Sequence, residues 1–233
     1  MSFDTVLFEL EGVLAETAGM RREALRASLA SDGVELPDDV FAERCAGLPT
    51  AAAVEAAAAA AGVAMDDTAR ELATLRAERH FAAVAGQGIV LVPGARELAT
   101  KLAARARLGV VTRAGRDVAG AIIALSGLEP LFQVVVTADD HAGPKPSPEP
   151  YLLALARLGR RRPALPERTI ALEDGGAGIA AANAAGIRCV VVGDVPAHAA
   201  LAASGALPSL LEVTPAMMAA AAGAGITTAR EMR

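Results

Sequence analysis

Five short, apolar, β-branched runs without polar alternation, at residues 5–10, 108–112, 133–137, 169–173 and 188–192, constrain this chain more than any other feature. Runs of this kind suit strands buried on both faces, as in parallel sheets covered by helices. Parallel neighbours need crossovers of about a dozen residues or more. Stretches of helical character and roughly that length fill 95–107, 116–126, 148–158 and 176–185. The expectation is an α/β fold: a doubly wound parallel sheet with a Rossmann-like core. In front of the third of these helices, Ser147 is placed to cap and Pro148 fits the first helical position, while Gly159 marks the end.

Residues 17–88 contain no strand candidate, only alanine-rich and charged helical segments at 18–30, 39–45, 51–61 and 69–84. Alanine is the best helix former, and Val54 keeps an apolar face on the alanine tract. Thr68 and Glu71 have the Thr-x-x-Glu spacing of a capping box. An inserted all-helical domain is therefore expected at 17–88, with 1–16 and 89–233 forming the core.

Composition excludes several functions. With 233 residues, 53% of them apolar, the chain can bury a sizeable core. A net charge of -5 and only 3% aromatic residues offer neither an electrostatic footprint for nucleic acid nor platforms for stacking bases. The basic cluster Arg160 to Arg162, between Gly159 and Pro163, reads as a solvated turn. No run has the continuous apolar character of a membrane span, and the start shows no basic stretch leading an apolar one. A soluble, cytoplasmic protein without a membrane partner is expected. Cys45 and Cys189 lie far apart and read as small buried hydrophobes rather than a bridge. The oligomeric state is left open, and a monomer is compatible with the sequence.

In doubly wound sheets, ligands sit beyond the carboxyl ends of the strands. The chain places Glu9 and Glu11 at the end of the first run, Thr112 and Arg113 at the end of the second, and Glu173 and Asp174 at the end of the fourth. Lys145, between Pro144 and Pro146, follows the third. Carboxylates are the oxygen ligands a hard cation such as Mg2+ takes, and a lysine supplies a point charge for phosphoryl oxygens. Together these residues predict a site for Mg2+ and a phosphate.

The segments GPKPSPEPYLLALARLG and IALEDGGAGIAAANAAG, with LVPGARELATKLA and LGVVTRAGR before them, resemble the haloacid dehalogenase-like hydrolases. The resemblance covers nearly the whole chain. It is to the subgroup of β-phosphoglucomutases and phosphoglycolate phosphatases that carry a helical cap. It implies a Mg2+-dependent phosphatase of a small phosphorylated metabolite, working through a carboxyl-phosphate intermediate. Glu9 would be the nucleophile, Glu11 the acid and base, and Thr112, Arg113 and Lys145 the phosphate-binding groups. Glu9, Glu11, Glu173 and Asp174 would serve the metal, and Arg21 and Thr50 would be the cap's substrate-facing residues.

One motif departs from the pattern. Where the family writes DxDG(T/V)LxD, this chain has ELEGVLAE, so Glu9, Glu11 and Glu16 stand at the three aspartate positions. The carboxylate is kept, but the side chain is one C–C bond, about 1.5 Å, longer. Misplacement by ~1 Å can cost roughly 10²-fold in rate. Two alternatives stand beside the phosphatase: a β-phosphoglucomutase-like phosphotransferase, and a catalytically impaired module that binds metal and phosphate.

Overall fold

The computed structural model describes residues 3–193, 202–207, 209–214, 216–218 and 220. The strands are β1 (Thr5–Phe8), β2 (Arg107–Val111), β3 (Val134–Val136), β4 (Thr169–Glu173), β5 (Arg188–Val192) and β6 (Gly205–Leu207). The α-helices are α1 (Ala18–Ala30), α2 (Asp38–Val40), α3 (Thr50–Ala60), α4 (Asp67–Ala85), α5 (Ala95–Ala103), α6 (Arg116–Ser126), α7 (Glu149–Leu158) and α8 (Gly176–Ala184). Among the described residues, no helix is long and apolar enough to cross a membrane. The chain divides into two compact units, one of residues 1–15, 91–116 and 127–233, the other of residues 16–90 and 117–126.

The first unit holds the sheet, ordered β3-β2-β1-β4-β5-β6 with every pairing parallel. This is a doubly wound sheet: from the centre, strand order runs outward through β2 to β3 on one side and through β4 to β6 on the other. The switch between the two directions falls at β1 and β4, where such sheets leave a crevice beyond their carboxyl ends. All four residues of β1 and all five of β4 are buried, which suits the apolar centre of each run. Helix α7 packs on β2 and β3, and α8 on β4 and β5. One core cluster joins Leu7, Val111 and Ala171 of the strands to Tyr151, Leu155 and Ile179 of these helices.

The second unit is helical. Leu25 and Leu29 of α1, Val54 and Ala57 of α3, and Ala73 and Ala77 of α4 share its core. Most of these positions recur at the three- and four-residue spacing of one helix face. Alanines 53, 57 and 58 are buried, so the alanine tract is a packed helix.

Four local expectations are corrected. Helix α4 starts at Asp67, and its cap is Asp66, whose carboxylate accepts from the Ala69 N–H at 2.7 Å; Thr68 is inside the helix, where its hydroxyl cannot serve as N-cap. The 39–45 segment splits into α2 and a π-helical turn, Phe41–Cys45, closed by Ala46 N–H to Phe41 O at 2.8 Å. Helix α7 starts one residue later than expected, although Ser147 Oγ still accepts from the Glu149 N–H at 3.3 Å. Strand β6 was not expected, because Gly-Ala-Leu lacks the β-branched signal.

Candidate active site

Strand β1 ends at Phe8, but its pairing continues one residue further through Glu9 N–H to Leu172 O at 2.9 Å. Phe8 is in register with Leu172, so Glu9 emerges beside Glu173 at the switch point. The chain then turns tightly: the N–H groups of Leu14 and Ala15 both donate to Leu10 O, and Gly12 donates to Ala15 O. Gly12 is required twice. Its φ is +79°, and a Cβ there would collide with the Asp174 carboxylate.

Glu9 is buried and both of its oxygens are engaged. Oε1 accepts from the Leu10 N–H at 2.8 Å, and Oε2 accepts from Lys145 Nζ at 2.6 Å. The longer side chain thus lets the carboxylate turn back onto the next residue's amide. Lys145 is buried as well, and its ammonium has three further neighbours. It donates to Val111 O at 2.8 Å and to Glu173 Oε1 at 2.5 Å, and it lies 5.2 Å from the centre of the Tyr151 ring. The Tyr151 hydroxyl donates to the same Glu173 oxygen. Glu173 also lies against Gly178, where a Cβ would overlap its carboxylate.

The loop that carries Lys145 is tied at both ends. The Thr137 N–H and hydroxyl bond Asp140 at 2.8 Å each, and Arg157 of α7 donates to Asp140 at 2.8 Å. Burial opposes charge on Asp140, but the Arg157 and Thr137 bonds outweigh it and hold the carboxyl well below the usual range. Further along, Glu149 accepts from the Gly143 N–H at 2.7 Å. The Lys145–Pro146 peptide is cis.

The charges follow from this geometry. Burial pushes the Glu9 carboxyl up, but the Lys145 charge and the bonds from Lys145, Thr112 and Leu10 outweigh burial and keep it ionised below its ordinary value. Burial works against the Lys145 ammonium, and the charges of Glu173 and Glu9 overcome that, raising its pKa. Glu173 moves the other way: burial and the Glu9 charge raise it against the pull of Lys145 and Tyr151. Two carboxylates on one ammonium leave an excess negative charge, and Glu173 is where it is felt.

Asp174 is pushed up to about 7, by burial first and then by the charges of Glu9 and Glu173, with Arg113 and Lys145 opposing. It makes no hydrogen bond among the described residues. Thr112 is buried, and its hydroxyl accepts from the Ala114 N–H at 3.2 Å. Glu11 is half-buried at the turn, and Glu16 is exposed.

The structure therefore brings Glu9, Lys145 and Glu173 into direct contact, with Thr112 bonding Glu9 and with Asp174 close enough to feel the charges of Glu9, Glu173, Arg113 and Lys145. Among the described residues, no three His, Cys, Asp or Glu side chains form a group that could hold a metal ion by themselves. Glu173, expected to serve the metal, spends one oxygen on Lys145 and Tyr151. Arg21 and Thr50 lie in the helical unit, where the Arg21 guanidinium donates to Thr50 Oγ1 at 3.2 Å and stacks 4.4 Å over the Phe81 ring. Sequence reasoning missed Tyr151. The available signal was a phenol on the buried face of α7, which needs a partner for its hydroxyl.

Comparison with known proteins shows the family of the chain. Residues 6–192 match the family model of the haloacid dehalogenase-like hydrolases. The chain is 34% identical over 188 residues to a validoxylamine A 7'-phosphate phosphatase of Streptomyces hygroscopicus subsp. limoneus, covering 81% of this chain and 84% of that protein. It is 32% identical over 207 residues to a phosphoglycolate phosphatase of Rhodospirillum rubrum, covering 87% and 84% respectively. The crystal structure of CbbY from Rhodobacter sphaeroides in complex with phosphate superposes with a TM-score of 0.79 at 27% identity, over 90% of this chain and 96% of that one. By fold, by sequence and by the charged groups gathered at the switch point, the chain belongs to the haloacid dehalogenase-like hydrolases.

Proposed function

We propose that the protein is a Mg2+-dependent phosphatase of small phosphorylated metabolites, with Glu9 as its nucleophile. The observation that carries this is the Lys145 ammonium held between Glu9 and Glu173 at the switch of a doubly wound sheet. A buried cation beside an ionised carboxylate suits a dianionic phosphate and the acid that must attack it. The relatives named as phosphatases of small phosphate esters support the same substrate class.

The donor set fits Mg2+ on one observation. Asp174 is a half-buried acid without a hydrogen-bond partner among the described residues, its pKa raised by partial burial and then by the charges of Glu9 and Glu173. A divalent cation shared with Glu9 relieves that repulsion, and the main-chain carbonyl of Glu11 is a third oxygen of the right kind. When bound, the ion supplies charge neutralisation to the transferring phosphoryl group.

The chain's own residues do the rest. The Leu10 N–H and Lys145 hold the Glu9 carboxylate, from which one oxygen attacks phosphorus as the ester P–O bond breaks. The departing alkoxide takes a proton from Glu11 and leaves as the alcohol. A water then gives its proton to Glu11 and attacks phosphorus, and the bond to Glu9 breaks to release inorganic phosphate. Lys145, Thr112 and Arg113 steady the phosphoryl oxygens through both steps. Selection of the organic group is assigned to the helical unit, which we propose serves as the cap, with Arg21 and Thr50 as its candidate residues.

Release of inorganic phosphate from a panel of small phosphate monoesters, with Mg2+ and with chelator, tests the proposal. Turnover that needs Mg2+ and is lost in Glu9→Gln is expected. Equal turnover in Glu9→Gln would reject Glu9 as nucleophile, and no turnover on any ester would reject the phosphatase.

A further inference from the structure

We propose that Tyr151 is a positioning residue for phosphoryl transfer: its hydroxyl, together with the bare Gly178, fixes Glu173 in one pose, and Glu173 in turn fixes the Lys145 ammonium against Glu9. This rests on the phosphatase reading and adds to it a residue that touches neither substrate nor metal.

The argument begins with the ammonium, which has three donors and no acceptor. All three are used, on Glu9 Oε2, Val111 O and Glu173 Oε1 at 2.6, 2.8 and 2.5 Å. Val111 O belongs to the main chain of β2 and cannot move far. The other two partners are flexible glutamates, so the placement of Lys145 is only as good as theirs. Glu9 is anchored locally by the Leu10 N–H. Glu173 has no such anchor among the described hydrogen bonds: its side-chain partners are Lys145 itself and Tyr151.

Tyr151 is suited to the task. It is fully buried, and its ring belongs to the core cluster with Ala154, Ile179 and Cys189, so the hydroxyl has one direction to point. Burial, together with the charge of Glu173, raises its pKa well above the ordinary value, which keeps the phenol a neutral donor. Its ring face also meets the Lys145 charge at a cation–π distance, so one side chain touches both members of the ion pair. The absent Cβ of Gly178 leaves the space that the Glu173 carboxylate occupies. Without the hydroxyl, Glu173 could rotate and draw Lys145 from Glu9, and small misplacements at a reacting group are costly.

Tyr151→Phe keeps the ring and removes only the donor. In the full chain with Mg2+, the expected result is kcat lowered about ten-fold with KM within about two-fold, and inorganic phosphate bound about ten-fold more weakly by calorimetry. A variant with unchanged kcat and phosphate affinity, whatever its thermal stability, overturns the proposal and leaves Tyr151 as core packing. Should Tyr151→Phe not fold, Gly178→Ala displaces the same carboxylate. The same loss of kcat then supports the proposal, and parental kcat overturns it. Absence of turnover in the parent is a failure of the phosphatase reading, and phosphate affinity then decides alone: weaker in Tyr151→Phe supports the positioning role. Equal affinity, or no phosphate binding by the parent, sinks it.

Discussion

The Nζ atom of Lys145 stands 2.6 Å from Oε2 of Glu9, with both side chains all but removed from solvent. A lysine in that position neutralises buried acids before it ever meets a phosphate. Removing one partner of such a cluster leaves uncompensated buried charge, which typically costs about 3–5 kcal/mol. Lys145→Met is therefore expected to lose both phosphate binding and about 3 kcal/mol or more of stability, read by urea unfolding. A stability change below about 1 kcal/mol would show the ammonium to be dispensable to the fold.

Glu9 is held at both oxygens, so the local backbone already suits a glutamate. Glu9→Asp withdraws the carboxylate by about one C–C bond from Lys145. The expected result is kcat lowered by about 10–10²-fold rather than raised, measured on the best ester of the panel. An increase would mean that the extra methylene handicaps the native enzyme.

Asp174 predicts a pH dependence. Its folded-state pKa is raised from 3.8 to about 7, so the folded protein holds that proton more tightly than the unfolded chain does. Its contribution is complete below about pH 4 and lost as pH rises through about 7, a change of up to about 4 kcal/mol. In chelator, the parent should lose stability between about pH 4 and 7 relative to Asp174→Asn. Parallel urea-unfolding curves for the two across that range would contradict the burial argument.

Gly12 faces Asp174 at a positive φ, whereas Gly33, also at positive φ, has nothing within 4 Å of the Cβ position. Both alanine variants carry backbone strain, but only Gly12→Ala displaces the acid. Calorimetry should find Mg2+ bound about ten-fold more weakly by Gly12→Ala and unchanged in Gly33→Ala. Equal affinities in the two would remove Asp174 from the metal's ligands.

Much of this arrangement was legible in sequence because buried parallel strands carry unbroken apolar runs, and function gathers where those runs stop. Glu9, Thr112, Lys145 and Glu173 were singled out that way, and the structure brings them together. What the sequence could not disclose was the pairing. Whether Lys145 answers Glu9, Glu173 or a phosphate depends on register and on which side chains turn back, and Glu9 turns onto Leu10. The bond from Tyr151 to Glu173 was not legible, because a helix and a strand end meet only in three dimensions. The error at Thr68 has a simpler cause: two cap-forming residues, Asp66 and Thr68, stand two apart, and the earlier one took the N-terminus.

Lys145 joins Glu9 at a sequence separation of 136 and Glu173 at one of 28. None of the three can be desolvated until β1, β2 and β4 lie side by side, so the charged cluster closes only after the longest-range contacts have formed, which is slow for a parallel sheet. Recovery of phosphate binding during refolding would then time the final assembly of the sheet. A chain interrupted anywhere before β4 would keep its acids in water and its lysine without employment.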